Sequence, residues 1–378
     1  MRIGLNAHLL SFESSYRQAG VSRYIAALLD ELPALLDDGD ELLAFTGPTT
    51  PEQRAMFDTR IGWRTTKLPT SNPLARILWE QSSGQLSGPR ERLDVFHHPV
   101  NVVPLAGLTP QAVTVHDLAF ERFPEQYPAA KQRYLRLMTR VTTRRAAKVI
   151  AVSRATGRDL VELYGVPQPK IEVIPNGLSA GFCRPPETEL TSFRAEHGLP
   201  DEFLLFVGTL QPRKNLDGLL RAYALVAGQM EWPLIVVGAA GWLYDPVFHL
   251  VRQLGIGERV RFAGYAPVEE LPYWYGAAGV FVLPSLYEGF GLPVLEAMAC
   301  GTPVVTSNRS SLAEVAGDAA LLVEPERPQA IAEALLRLVC DPALRQELAA
   351  RGPQRAAPFT WRRSAAATMA VYRSVGRG

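Results

Sequence analysis

Two glutamates, Glu288 and Glu296, bracket the seven residues Gly-Phe-Gly-Leu-Pro-Val-Leu. The run 280–283 before them is apolar and fit for a buried strand, Pro293 suits the first turn of a helix, and Gly301 suits its end. A strand, a glycine-bearing loop and a helix in that order deliver unpaired backbone N–H groups to one place. The helix dipole adds roughly half a positive charge there. Such a cradle fits a diphosphate, with Gly289, Phe290, Gly291 and Leu292 approaching the ligand through the backbone and Pro293 donating nothing. Glu288 falls at the strand exit and Glu296 one turn into the helix, so the two carboxylates can face one pocket and grip two hydroxyl-bearing parts of a ligand.

A basic pair, Arg213 and Lys214, follows the apolar run 203–207 and the strand-exit residues Gly208 and Thr209, just before a helix beginning near Asn215. Cations at that point can offset charge developing on a departing phosphate, a task that otherwise falls to a divalent metal. His116 and Asp117 close the strand 112–115, and His98 ends a neighbouring one. His8, His97, His98, His116 and Asp117 raise the question of a metal centre. His97 and His98 are adjacent on a strand and point to opposite faces, so both cannot chelate one ion comfortably, and no metal is expected.

Positioning these groups takes a particular framework. Short apolar runs alternate with amphipathic helical stretches throughout, which predicts an α/β fold with doubly wound parallel sheets. Strands are expected at 2–5, 41–45, 95–97, 112–115, 148–151 and 171–174, with a helix over 22–36. The pattern restarts at 203–207 and continues at 233–237, 260–263, 280–283, 303–305 and 320–323. A chain of 378 residues suits two such domains. The turn Pro175-Asn-Gly177 and the stretch Cys183-Arg-Pro-Pro186 put the boundary at 182/183. The expected domains are 1–182 and 183–359, with a helical tail 360–378 packing back on the first, and a ligand in the cleft they face.

With 39 basic and 38 acidic residues the chain has no bulk attraction for nucleic acid. Three widely spaced cysteines fit neither a disulfide framework nor a zinc site, which points to a reducing, cytoplasmic setting. No apolar run approaches the length of a membrane span. From Lys131 to Lys148 the chain carries seven cations and no acid, with Arg133, Arg136, Arg140 and Arg144 on one helical face. That stripe fits peripheral contact with an anionic membrane, and it fits a plain solvated face equally.

The Glu-x7-Glu pattern with its Gly-Phe-Gly resembles the signature of family 4 glycosyltransferases. Other parts occur in the family's order: Gln18-Ala-Gly-Val-Ser-Arg-Tyr24, His116-Asp117, Ile174-Pro-Asn-Gly177 and Phe206-Val-Gly-Thr-Leu-Gln-Pro-Arg-Lys-Asn-Leu216. The resemblance covers nearly the whole chain. It implies a GT-B fold with an acceptor-binding first domain (1–182) and a nucleotide-sugar-binding second domain (183–359), retained anomeric configuration and no required metal or other cofactor. It also implies roles: Glu288 on the sugar, Glu296 on the ribose, Arg213 and Lys214 on the diphosphate, His116 against the donor sugar and Gly20 at a close backbone contact. Thr209 stands where many members carry Arg, which shifts the second phosphate contact to Arg213.

The segments Val115-His-Asp-Leu-Ala-Phe-Glu-Arg-Phe-Pro124 and Leu286-Tyr-Glu-Gly-Phe290 are similar to those of bacterial mannosyltransferases of polysaccharide assembly. That favours GDP-mannose over UDP-glucose and a carbohydrate or lipid-linked acceptor. A non-catalytic nucleotide-sugar-binding protein would keep the cradle without transfer. A nicotinamide-dependent oxidoreductase is disfavoured because no GxGxxG follows the first strand.

Overall fold

The computed structural model describes residues 1–12, 20–70, 72–239 and 245–376. Gln18 and Ala19, part of the expected N-terminal glycine loop, lie outside these residues. The chain forms two compact units, one of residues 1–177 with 360–378 and one of residues 178–359. The first unit thus ends ahead of the boundary expected at 182/183.

The first unit is a seven-stranded parallel sheet of β1 (Arg2–Asn6), β2 (Glu41–Thr46), β3 (Ile61–Thr65), β4 (Val95–His98), β5 (Gln111–Val115), β6 (Lys148–Ala151) and β7 (Ile171–Val173), ordered 3-2-1-4-5-6-7. Its interior strands are almost wholly buried, as a parallel sheet covered on both faces requires. β3 was not expected. It pairs with β2 in register, Leu42 to Ile61 through Thr46 to Thr65, at the sheet edge, where only Ile61 of its five residues is buried. The helix expected over 22–36 runs only Val21–Glu31, because Pro33 cannot donate to the ladder and starts a separate 3₁₀ turn, Pro33–Leu35.

The C-terminal helix Trp361–Gly376 belongs to this first unit. Trp361, Ala365, Met369 and Tyr372 share a core with Ile3, Leu5, Tyr24 and Leu28. The Tyr372 hydroxyl meets His97 Nδ1 at 2.6 Å, which fastens the helix to β4. Gly177 closes the unit against the backbone of Trp361: a Cβ there would stand 2.1 Å from the Trp361 nitrogen, so no other residue fits.

The second unit is a six-stranded parallel sheet of β8 (Leu204–Val207), β9 (Leu234–Val237), β10 (Val260–Gly264), β11 (Val280–Leu283), β12 (Val304–Ser307) and β13 (Leu321–Val323), ordered 10-9-8-11-12-13. In each sheet the strand order reverses once, between β1 and β4 in the first and between β8 and β11 in the second. Open parallel sheets bind ligands outside the carboxyl ends of the strands at such a reversal.

Candidate active site

β8 and β11 are paired neighbours at the reversal in the second sheet, and the segments leaving their carboxyl ends carry the basic pair and the first glutamate. Backbone bonds lock the two exits together. The Leu286 N–H donates to the Arg213 carbonyl at 2.8 Å. The Asn215 amide donates to the carbonyls of Pro284 and Pro325, at 3.1 and 2.7 Å. Asn215 itself takes a left-handed conformation, φ 58°, a turn that Asn tolerates better than most residues and that ends the 3₁₀ segment Pro212–Lys214 before the helix Leu216–Val226.

This places Arg213 and Lys214 directly against Glu288. Arg213 Nη1 donates to Oε2 at 3.0 Å, Lys214 Nζ donates to Oε1, and Ser285 Oγ donates to Oε1 at 2.9 Å. Burial would raise the Glu288 carboxyl, but the two cations and the hydroxyl hold it down at about 2. At neutral pH the cluster is therefore two cations around one carboxylate, a net positive charge on largely buried side chains. The main chain of Glu288 is fixed as well: its N–H donates to Ser310 Oγ at 2.9 Å and its carbonyl accepts from Ser311 Oγ at 2.8 Å.

The glycine loop continues as expected. Gly291, φ 107°, precedes the helix Leu292–Ala299 and has no side chain to cap it. A Cβ there would also meet Leu312 Cδ2 at 2.6 Å, so the bare backbone is required twice over. Gly289 and Phe290 are buried and Leu292 half-buried beside them. Phe290 packs edge-on to Phe359 at 5.9 Å. At the exit of β8, Gly208 lies beside the Lys214 stem, a Cβ on it reaching Cε at 3.9 Å, and Thr209 is half-buried.

The structure adds two contacts that the sequence reading did not give. Arg213 and Lys214 pair with Glu288, because the exits of β8 and β11 are bonded to each other. Glu296, 2% exposed, is not open to solvent, and the Tyr275 hydroxyl donates to its Oε2 at 3.0 Å. The serines 285, 310 and 311 and Tyr275 escaped the sequence reading. Only Ser285, three residues before Glu288, was within reach of it.

In the first unit, Gly20, φ 64°, starts the helix Val21–Glu31, and its carbonyl accepts from the Tyr24 N–H at 3.1 Å. The Tyr24 ring stands edge-on to His116 at 4.9 Å. His116 Nε2 donates to the Pro99 carbonyl at 3.0 Å, which assigns the proton to that nitrogen and leaves Nδ1 as the acceptor. Burial lowers the pKa of the ring, so it is neutral at pH 7. His97 and His98 do face opposite ways, His97 bonding Tyr372 and Thr114 and His98 bonding Asn6. Among the described residues no group of three or more His, Cys, Asp and Glu side chains is arranged to hold a metal ion. Nor is any helix among them long and apolar enough to cross a membrane.

With this geometry in place, similarity to known proteins covers both units. Residues 19–181 match the Glycosyltransferase Family 4 pattern and residues 189–355 that of the Glycosyl transferases group 1. The O-antigen chain mannosyltransferase B of Escherichia coli is 32% identical over 372 residues, 95% of this chain and 97% of that protein. A D-inositol 3-phosphate glycosyltransferase of Kineococcus radiotolerans is 37% identical over 249 residues, 60% of this chain and 57% of that protein. Among solved structures, a sucrose-phosphate synthase of Thermosynechococcus elongatus superposes with a TM-score of 0.79 at 24% identity, covering 99% of this chain and 98% of that one. Two Rossmann-like sheets, the clustered basic pair and glutamate, and a similarity that runs the length of the chain lead to one conclusion: it belongs to the family 4 glycosyltransferases, built on the GT-B architecture.

Proposed function

We propose that the protein is a retaining, metal-independent mannosyltransferase that moves mannose from GDP-mannose to a hydroxyl of a lipid-linked or polysaccharide intermediate. The observation that carries the catalytic part is the Arg213–Glu288–Lys214 cluster at the carboxyl ends of β8 and β11. Its net positive charge suits a leaving nucleoside diphosphate without a divalent ion, and the N–H groups ahead of Pro293 add fixed dipoles. Glu288, already accepting from three side chains, is a poor nucleophile. That favours front-face transfer: the bond from the anomeric carbon to the diphosphate breaks, the acceptor oxygen bonds to the same face, and its proton passes to a phosphate oxygen of the leaving GDP.

In this reading Glu288 contacts the sugar, Glu296 the ribose hydroxyls and His116 the donor sugar, with Gly20, Gly208, Thr209, Gly289, Phe290, Gly291 and Leu292 shaping the donor site. Mannose is favoured by the similarity to the Escherichia coli mannosyltransferase. The exposed cations of the helix Ala129–Arg145 support peripheral contact with the cytoplasmic face of the inner membrane.

Thermal shift against GDP-, UDP-, ADP- and dTDP-sugars, followed by proton NMR of product formed from the best binder in EDTA, tests the proposal. GDP-mannose is expected to stabilise most, and the product to keep the α configuration. Preference for UDP-glucose would replace the donor, an inverted product would end the retaining mechanism, and stabilisation without transfer or donor hydrolysis would reduce the protein to a nucleotide-sugar binder.

A further inference from the structure

A chain of buried hydroxyls, unused by the chemistry above, runs beside His116. Thr114 of β5 and His116 just past its end stand two residues apart, so their side chains leave the same face of the sheet. Tyr24, in the helix Val21–Glu31, meets both: its hydroxyl lies 3.0 Å from Thr114 Oγ1, and its ring stands at 85° to the His116 ring, 4.9 Å away. The helix Trp361–Gly376 also holds Tyr24, with Trp361 edge-on to its ring and Thr368 bonded to its hydroxyl. Donor counting fixes the direction of each bond. Thr368 spends its proton on the Ser364 carbonyl at 2.8 Å, so the Tyr24 hydroxyl donates to Thr368. The Tyr24 oxygen then accepts from Thr114, Thr114 accepts from His97 Nε2–H at 2.8 Å, and His97 Nδ1 accepts from the Tyr372 hydroxyl at 2.6 Å. Burial keeps the His97 ring neutral, with the one proton that this order needs. Tyr24, Thr114, His97, Thr368 and Tyr372 are each at most 1% exposed, and every hydroxyl proton of the chain has a taker.

A fully satisfied buried network is stiff, because each break leaves a group unpaired where water cannot reach it. That stiffness reaches His116 through the Tyr24 ring. His116 keeps part of its surface exposed and is held by the bond from Nε2 to the Pro99 carbonyl, and one such bond leaves the imidazole plane free to tilt about it. A perpendicular aromatic ring in contact with it opposes the tilt. We infer that Tyr24 is a positioning residue for the transfer step: locked by the C-terminal helix, it sets the plane of His116 and the direction in which His116 Nδ1 meets the donor sugar. The inference rests on the transferase reading, which gives His116 to that sugar. It adds a task for the C-terminal helix beyond filling the core of the first unit, since the hydrogen-bonded chain begins on that helix at Tyr372 and returns to it at Thr368 and Ser364.

Two measurements test this. In protein labelled with ¹⁵N-histidine, the His116 imidazole, assigned by its absence from His116→Ala, is expected to show the neutral tautomer with the proton on Nε2. Tyr24→Leu should move both nitrogen shifts toward a mixture of tautomers. Tyr24→Phe, which keeps the ring but releases Thr114 and Thr368, should move them less, and Thr368→Val should act in the same direction without touching Tyr24. Donor turnover is followed as GDP released from GDP-mannose. Tyr24→Leu should lower kcat on the order of tenfold, leave the affinity for GDP measured by calorimetry unchanged, and cost nothing further in a His116→Ala background. Thermal melting establishes that each variant is folded, and the Phe and Val variants carry both measurements if the Leu variant does not fold. Unchanged His116 nitrogen shifts in the Tyr24 variants, a loss of kcat that adds to that of His116→Ala, or a loss of GDP affinity as large as the loss of kcat would overturn the inference. A wild type that releases no GDP, while the His116 signals still respond to Tyr24, would leave the positioning of His116 standing and sink the transferase reading.

Discussion

Glu288 and Glu80 are buried carboxyls driven in opposite directions by their neighbours. Burial raises both; around Glu288 two cations and a serine outweigh it, whereas around Glu80 only the distant Arg76 and the Asn6 amide oppose it. Lys214→Ala should therefore do two things: remove about 3 kcal/mol of transition-state stabilisation, on the order of a hundredfold in kcat, and let the Glu288 carboxyl rise toward its ordinary range. Steady-state kinetics of donor hydrolysis checks the first, and an unchanged kcat would count against the cluster as the phosphate site. For Glu80 the linkage is the reverse of the usual carboxylate case. Its pKa rises from 4.5 unfolded to about 7 folded, so the folded state binds more protons and stability falls as pH rises between those values. Groups facing it are Arg76 on its own helix, the Asn6 amide at the end of β1, and Tyr134 on the basic helix. Glu80→Gln should remove that loss, raising stability by roughly 3 kcal/mol at pH 8 and little at pH 4, as urea melts at the two pH values would show. Equal effects at both would mean that Glu80 does not titrate in this window. Neither pairing was legible in the sequence. Glu288 and Lys214 are 74 residues apart and meet only because β8 and β11 pair, while nothing in the sequence around Glu80, four residues after Arg76, marks it as buried.

At the scale of elements, what could be read from the sequence was what burial writes into it. Interior strands such as β11, Val280–Leu283, are covered on both faces and so are continuously apolar. β3 escaped because an edge strand carries no such run: Gly62 and Arg64 break the pattern, and its register comes from β2 rather than from its own residues. The helix Val21–Glu31 was read too long because its apolar pattern continues into Leu35 and Leu36, past a proline that ends the ladder. The C-terminal helix was legible as a helix, and its attachment lies in Trp361, buried beside Tyr24 at a ring distance of 5.9 Å. Trp361→Ala should cost about 3–5 kcal/mol through the cavity it leaves. Urea unfolding followed by circular dichroism should show a lower midpoint for a transition involving the first unit. An unchanged midpoint would mean that the helix is not part of the first unit's cooperative core.

For the molecule as a whole, a net charge of +1 predicts no general attraction to anionic surfaces, so any membrane contact must come from a local patch. The helix Ala129–Arg145 supplies one, in a register slightly different from the sequence reading. Arg136 is paired with Glu121 at 3.3 Å, and the exposed stripe runs through Arg133, Leu137, Arg140 and Arg144. Leu137 is 62% exposed in the middle of three cations, an arrangement that suits a headgroup layer with an apolar interior beneath it better than it suits water. Leu74 and Leu78, on the helix Pro73–Gln81 of the same unit, are also exposed. Each cation near an anionic surface contributes about 1 kcal/mol, so three give roughly a hundredfold gain in partitioning, most of which high salt should remove. Flotation with vesicles containing phosphatidylglycerol is therefore expected to carry the protein upward at low salt and to release it at 1 M salt, where the Debye length is about 3 Å. Replacing Arg133, Arg140 and Arg144 together by Gln should abolish flotation, and Leu137→Gln should weaken it at every salt concentration. Protein that stays with the soluble fraction at low salt would make the stripe a solvated face and remove the membrane from the proposed function, while leaving the transfer chemistry of the second unit untouched.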